Sequence, residues 1–106
     1  MSWETILKRG WSSRNLPMLK EAIEKIYSEI PVGEVFSSSE YWDDFQKIIG
    51  DELGRTREYA YFRKWATHRG KGWFRNYFTN YGKRRGYVES KTVRVEGRVY
   101  DKIERV

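Results

Sequence analysis

At 106 residues the chain fits one domain and is long enough to bury one modest core without cross-links. It contains no cysteine, which excludes a disulfide framework and any thiolate metal site and fits a reducing compartment. Charged residues at 34% would suit a disordered chain, but 17% aromatics, with five tryptophans, argue for a folded one, and the net charge is +6.

In chain order, residues 2–9 read as one or two helical turns capped by Ser2 and stopped at Gly10. They form, with the polar connector Trp11-Ser12-Ser13-Arg14-Asn15, an N-terminal arm over residues 1–16. Residues 17–106 are expected to be a single domain. Pro17 suits the first turn of a helix whose buried stripe is Leu19, Ile23, Ile26, Tyr27 and Ile30, and Pro31 ends it. Val32 to Phe36 reads as a short extended piece with Val35 or Phe36 turned inward. Ser37 and Glu40 have the spacing of a capping box. The helix behind them carries Tyr41, Trp42, Phe45, Ile48 and Ile49 on one face and is expected to stop at Gly50. The neighbouring pair Asp43-Asp44 projects in different directions and suits a helix's first turn better than a metal site.

Thr56 can cap a third helix reaching His68, with Tyr59, Phe62, Trp65 and Ala66 inward. The pair of glycines in Arg69-Gly70-Lys71-Gly72 predicts a tight turn. Helical spacing then resumes over residues 73–81, with Phe74, Tyr77, Phe78 and Tyr81 inward and an end near Gly82 or at Gly86. Beyond Gly86 the period becomes two, and Glu96-Gly97 marks the turn of a hairpin. Pairing Val95 with Arg98 would set Glu89 opposite Glu104, while a longer loop would change every partner, so the register stays open. The fold class is therefore α+β and mainly helical, with three or four helices and a C-terminal β-hairpin.

The positive charge is local. Residues 1–54 hold six basic and ten acidic residues, residues 55–86 ten and one, and residues 87–106 five and four. The middle block also carries nine aromatics, and a block both basic and aromatic suits a polyanion. On its last helix Arg75, Asn76, Thr79, Asn80 and Lys83 fall on one outward stripe by i+3/i+4 spacing. These are residue types that pair with base edges in a DNA groove. Lys83, Arg84 and Arg85 also suit a helix C-terminus, so dipole and capping account for part of that cluster. Trp65 and Trp73 read as core before they read as stacking platforms.

The order of elements, with the join Asn80-Tyr81-Gly82-Lys83-Arg84-Arg85-Gly86-Tyr87-Val88 leading from helix to strand, resembles the winged helix-turn-helix domains over about residues 17–105. The resemblance implies that the helix at 73–83 is a recognition helix and that residues 94–98 are the tip of a wing. It departs from that family in offering three helices, at 38–49, 56–68 and 72–82, where the family has two between its first strand and its wing. The N-terminal opening also looks like the starts of many small bacteriophage proteins.

The expected nucleic-acid contacts are Arg63, Arg69, Lys71, Arg75, Asn76, Thr79, Asn80, Lys83, Arg84, Arg85, Arg94 and Arg98. Duplex DNA is the first expected partner, bound by a small regulator or architectural factor. A protein-interaction or inhibitor module directed at a host protein is the alternative, and RNA binding comes third. His68 is the single histidine, beside Arg69 and Lys71, and no Walker loop, GxSxG or HExxH spacing occurs, so neither an enzyme nor a cofactor is expected. No apolar run approaches the roughly 20 residues of a membrane span, and Met1-Ser2-Trp3-Glu4-Thr5 lacks a signal pattern. The expected location is the cytoplasm or nucleoid, without a membrane partner.

Overall fold

A computed structural model describes residues 10–106. The helix expected over residues 2–9 lies outside the described residues. The fold is α+β and mainly helical, with a small antiparallel sheet closing the C-terminal end.

The expected connector after Gly10 is instead a short helix, α1 (Trp11–Arg14), because Trp11 needs the core. Its indole is 1% exposed and packs against Phe62 and Trp65, with ring centroids 5.7 and 5.0 Å away. Packing therefore begins ahead of the expected arm boundary at residue 16. Helix α2 (Leu16–Glu29) buries the whole predicted stripe and ends at Ile30, before Pro31. In strand β1 (Val35–Phe36) Phe36 turns inward and Val35 outward. The capping box is present: the Ser37 N–H donates to Glu40 Oε2, and the Ser37 side chain accepts from the Glu40 backbone N–H. It caps a 3-10 turn (Ser38–Tyr41) that leads into α3 (Trp42–Leu53).

Helix α3 passes through the expected stop at Gly50 and ends at Gly54, where φ is 61°. Gly50 serves packing rather than termination, since a Cβ there would sit 3.3 Å from the Tyr59 ring. Thr56 caps α4 (Arg57–Trp65) by accepting from the Tyr59 N–H.

The larger correction concerns Arg69-Gly70-Lys71-Gly72, where no turn occurs. A π-helical turn (Ala66–Gly70) joins α4 to α5 (Lys71–Arg84), so one continuous helix runs over residues 57–84. The physical reason is phase. Ala66 and Phe74 are eight residues apart, and in a regular helix eight residues overshoot two turns by about 80°. The wider π turn takes up the extra residue and brings Phe62, Ala66, Gly70, Phe74 and Phe78 onto one buried side. Gly70 is required there because a Cβ would meet Trp42 at 2.8 Å and Trp65 at 3.0 Å. Two helical elements, not three, thus separate β1 from the hairpin.

Strands β2 (Val88–Val95) and β3 (Arg98–Arg105) pair with Val95 opposite Arg98 and Glu89 opposite Glu104, which settles the register. β3 lies centrally, with β1 on its other edge through Val35–Glu104 and Phe36–Ile103. Opposed residues share a face, so Val88, Ser90, Thr92 and Arg94 look toward the helices together with Ile103 and Asp101. Glu89, Lys91, Val93 and Val95 look away.

The core joins α2, α3 and the long helix through stacked and tilted rings. Tyr27 stacks on Phe78 at 4.2 Å and donates its hydroxyl proton to the Phe78 carbonyl. Among the described residues no helix is long and apolar enough to cross a membrane.

Candidate nucleic-acid interface

The predicted stripe of α5 lines a groove of about 650 Å³ between that helix and the hairpin. Arg75, Asn76, Thr79, Asn80 and Lys83 form the helical wall. Ser37, Ser38 and Ser39 close one end, and residues 90–92 and 101–103 form the sheet wall. Of the strand side chains, Ser90, Thr92 and Asp101 belong to the groove face by alternation, while Lys91 and Lys102 project from the far face. Asp101 is the one acid among the lining residues. The groove is thus polar, with two cations on the helix and hydroxyl and amide groups between them.

Thr79 departs from its expected role as an outward reader. It is half-buried, its hydroxyl donates to the Arg75 carbonyl at 2.8 Å, and it shares a hydrogen bond with Ser38 Oγ. Thr79 fastens the helix to the 3-10 turn at the floor of the groove. Arg75, Asn76, Asn80 and Lys83 are exposed.

Because residues 57–84 form one helix, the stripe does not start at Arg75. Arg63, Thr67, Lys71, Arg75, Thr79 and Lys83 follow one another at four-residue spacing, each the surface neighbour of the next. This row winds from the outside of α4 into the groove. Among the exposed residues from 60 to 84 there is no acid at all. The predicted residues Arg63, Lys71, Arg75 and Lys83 are therefore collected on one row. Arg69 lies to one side of it, in the row with Trp65 and Trp73, and Arg84 is exposed four residues beyond Asn80.

The remaining predicted arginines divide. Arg94 is on the groove face of the hairpin and Arg98 on the far face, since Arg94 pairs with Val99 and Arg98 with Val95. Arg85 is turned to the opposite side of α5, where it pairs with Glu24 at 3.2 Å and lies 5.8 Å over the Tyr81 ring and 5.9 Å over Tyr87. Glu24 also accepts the hydroxyl protons of Tyr81 and Tyr87. Desolvation opposes ionisation of Glu24, but these hydrogen bonds and Arg85 together hold its carboxyl below the ordinary value of 4.5. Burial, with Glu24 as hydrogen-bond acceptor, pushes the Tyr81 hydroxyl up to about 12. Arg85 thus belongs to a cluster that ties α2 to α5 and β2.

Trp65 is core at 2% exposure. Trp73 is half-buried, edge-on to Trp65 at 5.3 Å and stacked on Tyr77 at 4.7 Å, so its ring is largely engaged within the protein. Sequence reasoning missed Ser37 to Ser39 and Thr92 as groove residues. The serines were absorbed by their capping signature, and the position of Thr92 depended on the open register.

Comparison with models of protein families, with curated proteins and with solved structures finds no match for this chain.

Proposed function

We propose that this protein binds duplex DNA as a small regulator or architectural factor in the cytoplasm or nucleoid, with α5 as the reading helix and the hairpin as a flanking wing. The observation that carries this reading is the acid-free row of Arg63, Lys71, Arg75 and Lys83 running along a single helix into the groove beneath the hairpin. Exposed Asn76 and Asn80 stand among those cations, where amide side chains can pair bidentately with adenine. The order of helix, short strand, two helical elements and hairpin is also that of the winged helix-turn-helix domains.

A labelled duplex titrated at rising salt tests this. Four neutralised phosphates give a log–log slope of about −3.6, since each contributes roughly −0.9. Duplex should compete better than single-stranded RNA. A flat salt response, or no binding, would instead favour a protein partner. That second reading draws on the acids Glu21, Glu29, Asp44, Asp51 and Glu52, which are exposed on α2 and α3 and line none of the groove walled by Arg75 and Lys83.

A further inference from the structure

The face of the sheet that looks away from the helices is patterned in rows. Along β3 it shows Glu104, Lys102, Tyr100 and Arg98 in that order from base to tip. Their β2 neighbours are Glu89, Lys91, Val93 and Val95, so two acids share a row, two lysines the next, Tyr100 and Val93 the third, and Arg98 and Val95 the outermost. Like charges placed directly across a ladder are unfavourable, and here they occur twice in succession. The same face leaves Val35 37%, Tyr100 43% and Val95 50% exposed.

We propose that a second copy of this chain packs on this face, sheet against sheet, about a two-fold axis that runs across the strands. A symmetric interface places one patch on itself, and with the strands of the two sheets aligned the two-fold axis runs either along them or across them. An axis along the strands lays Glu104 on Glu104 and Lys102 on Lys102, which repel. An axis across them, between the lysine row and the Tyr100 row, reverses the order. Glu104 then faces the partner's Arg98, Lys102 lies on the ring of the partner's Tyr100, and the stem of Lys91 covers the partner's Val93. Each contact occurs twice, and Glu89 falls on the partner's Val95, next to the partner's Arg98 on the adjoining strand.

The patch is small. Eight-residue strands span about 26 Å, and two of them about 10 Å in width, which is well short of the roughly 1,200–2,000 Å² that stable interfaces bury. The dimer is therefore weak and concentration-dependent. Its geometry leaves both helix-lined grooves pointing outward, and it holds whether or not those grooves bind DNA.

Sedimentation equilibrium of the intact chain from about 10 μM to about 1 mM reads it directly. The expected result is monomer at the low end and dimer at the high end. Glu104→Arg and Arg98→Glu should each weaken association at least about tenfold, and the two together should restore it by re-forming the pairs with inverted sign. Tyr100→Ser, which changes no charge, should weaken it as well. A monomer at the highest concentration, a dimer indifferent to the single reversals, or a double variant that fails to recover overturns the proposal.

Discussion

Tyr27 and Gly82 meet where α2 crosses α5. The Tyr27 hydroxyl lies against the backbone of α5 and donates to the Phe78 carbonyl, and burial raises its pKa well above the ordinary tyrosine range. A Cβ on Gly82 would fall well inside van der Waals contact distance of that hydroxyl and also within 2.9 Å of Val88. Gly82→Ala should therefore cost about 1–3 kcal/mol by overpacking, read as a fall in the denaturation midpoint. Nearby, Glu24 illustrates a pH-linked contribution. Its folded pKa is depressed, so the stability it adds is present above pH 4.5 and is lost as pH falls through the folded value. The melting temperatures of wild type and Glu24→Gln should differ at neutral pH and converge in acid. A constant gap down to pH 3 would mean that the carboxylate's charge is irrelevant. The Glu24 side chain is 35% exposed, so solvent screening keeps the effect modest.

At the scale of elements, most of the helical architecture was legible because periodicity, proline and capping residues agree. Leu19 through Ile30 form one stripe with Pro31 behind it, and Ser37 with Glu40 make the cap their spacing announces. The join between α4 and α5 was not legible, because Gly70 and Gly72 carry a turn signal that packing overrides. Gly70 is helical so that Trp42 and Trp65 can close over it, while Gly72 is exposed with nothing near its missing Cβ. The two glycines therefore separate the alternatives. Gly70→Ala should destabilise by about 1–3 kcal/mol, whereas Gly72→Ala, in an exposed helical position, should stabilise by about 0.5–1 kcal/mol. Were residues 69–72 a tight turn, Gly72→Ala would be the damaging substitution, and paired chemical denaturation decides between them. The hairpin register was likewise beyond the sequence, since Glu96-Gly97 marks a turn without fixing the pairing on either side.

For the whole molecule, the separation of charge along the sequence reappears in what lines its grooves. Glu21, Glu29, Asp44, Asp51 and Glu52 line the grooves between α2 and α3, Arg75 and Lys83 the groove beneath the hairpin, and among the buried residues the core is almost entirely apolar and aromatic. The candidate site was legible wherever it depended on helical spacing alone, as for Arg63, Lys71, Arg75, Asn76, Asn80 and Lys83. It was not legible where a contact from another element intervened, as when Ser38 captures Thr79 or Glu24 captures Arg85.

One helix therefore divides its labour by face, and the division can be measured. Phe78 is fully buried between Tyr27 and Phe74, so Phe78→Ala should cost about 3–5 kcal/mol, a large share of the 5–15 kcal/mol that holds a typical domain together. Asn76 is exposed on the groove wall, so Asn76→Ala should leave the melting temperature nearly unchanged. If Asn76 reads a base, the same substitution should remove about 1–3 kcal/mol of discrimination between preferred and random duplexes. Lys83→Ala should weaken every duplex alike and lower the salt slope by about 0.9, because a phosphate contact carries no sequence information. Paired melts and titrations on the three variants settle the assignment. Should Asn76→Ala unfold the protein, the helix is turned the wrong way; should it melt normally and discriminate as wild type does, the base reading lies elsewhere on the helix or outside it.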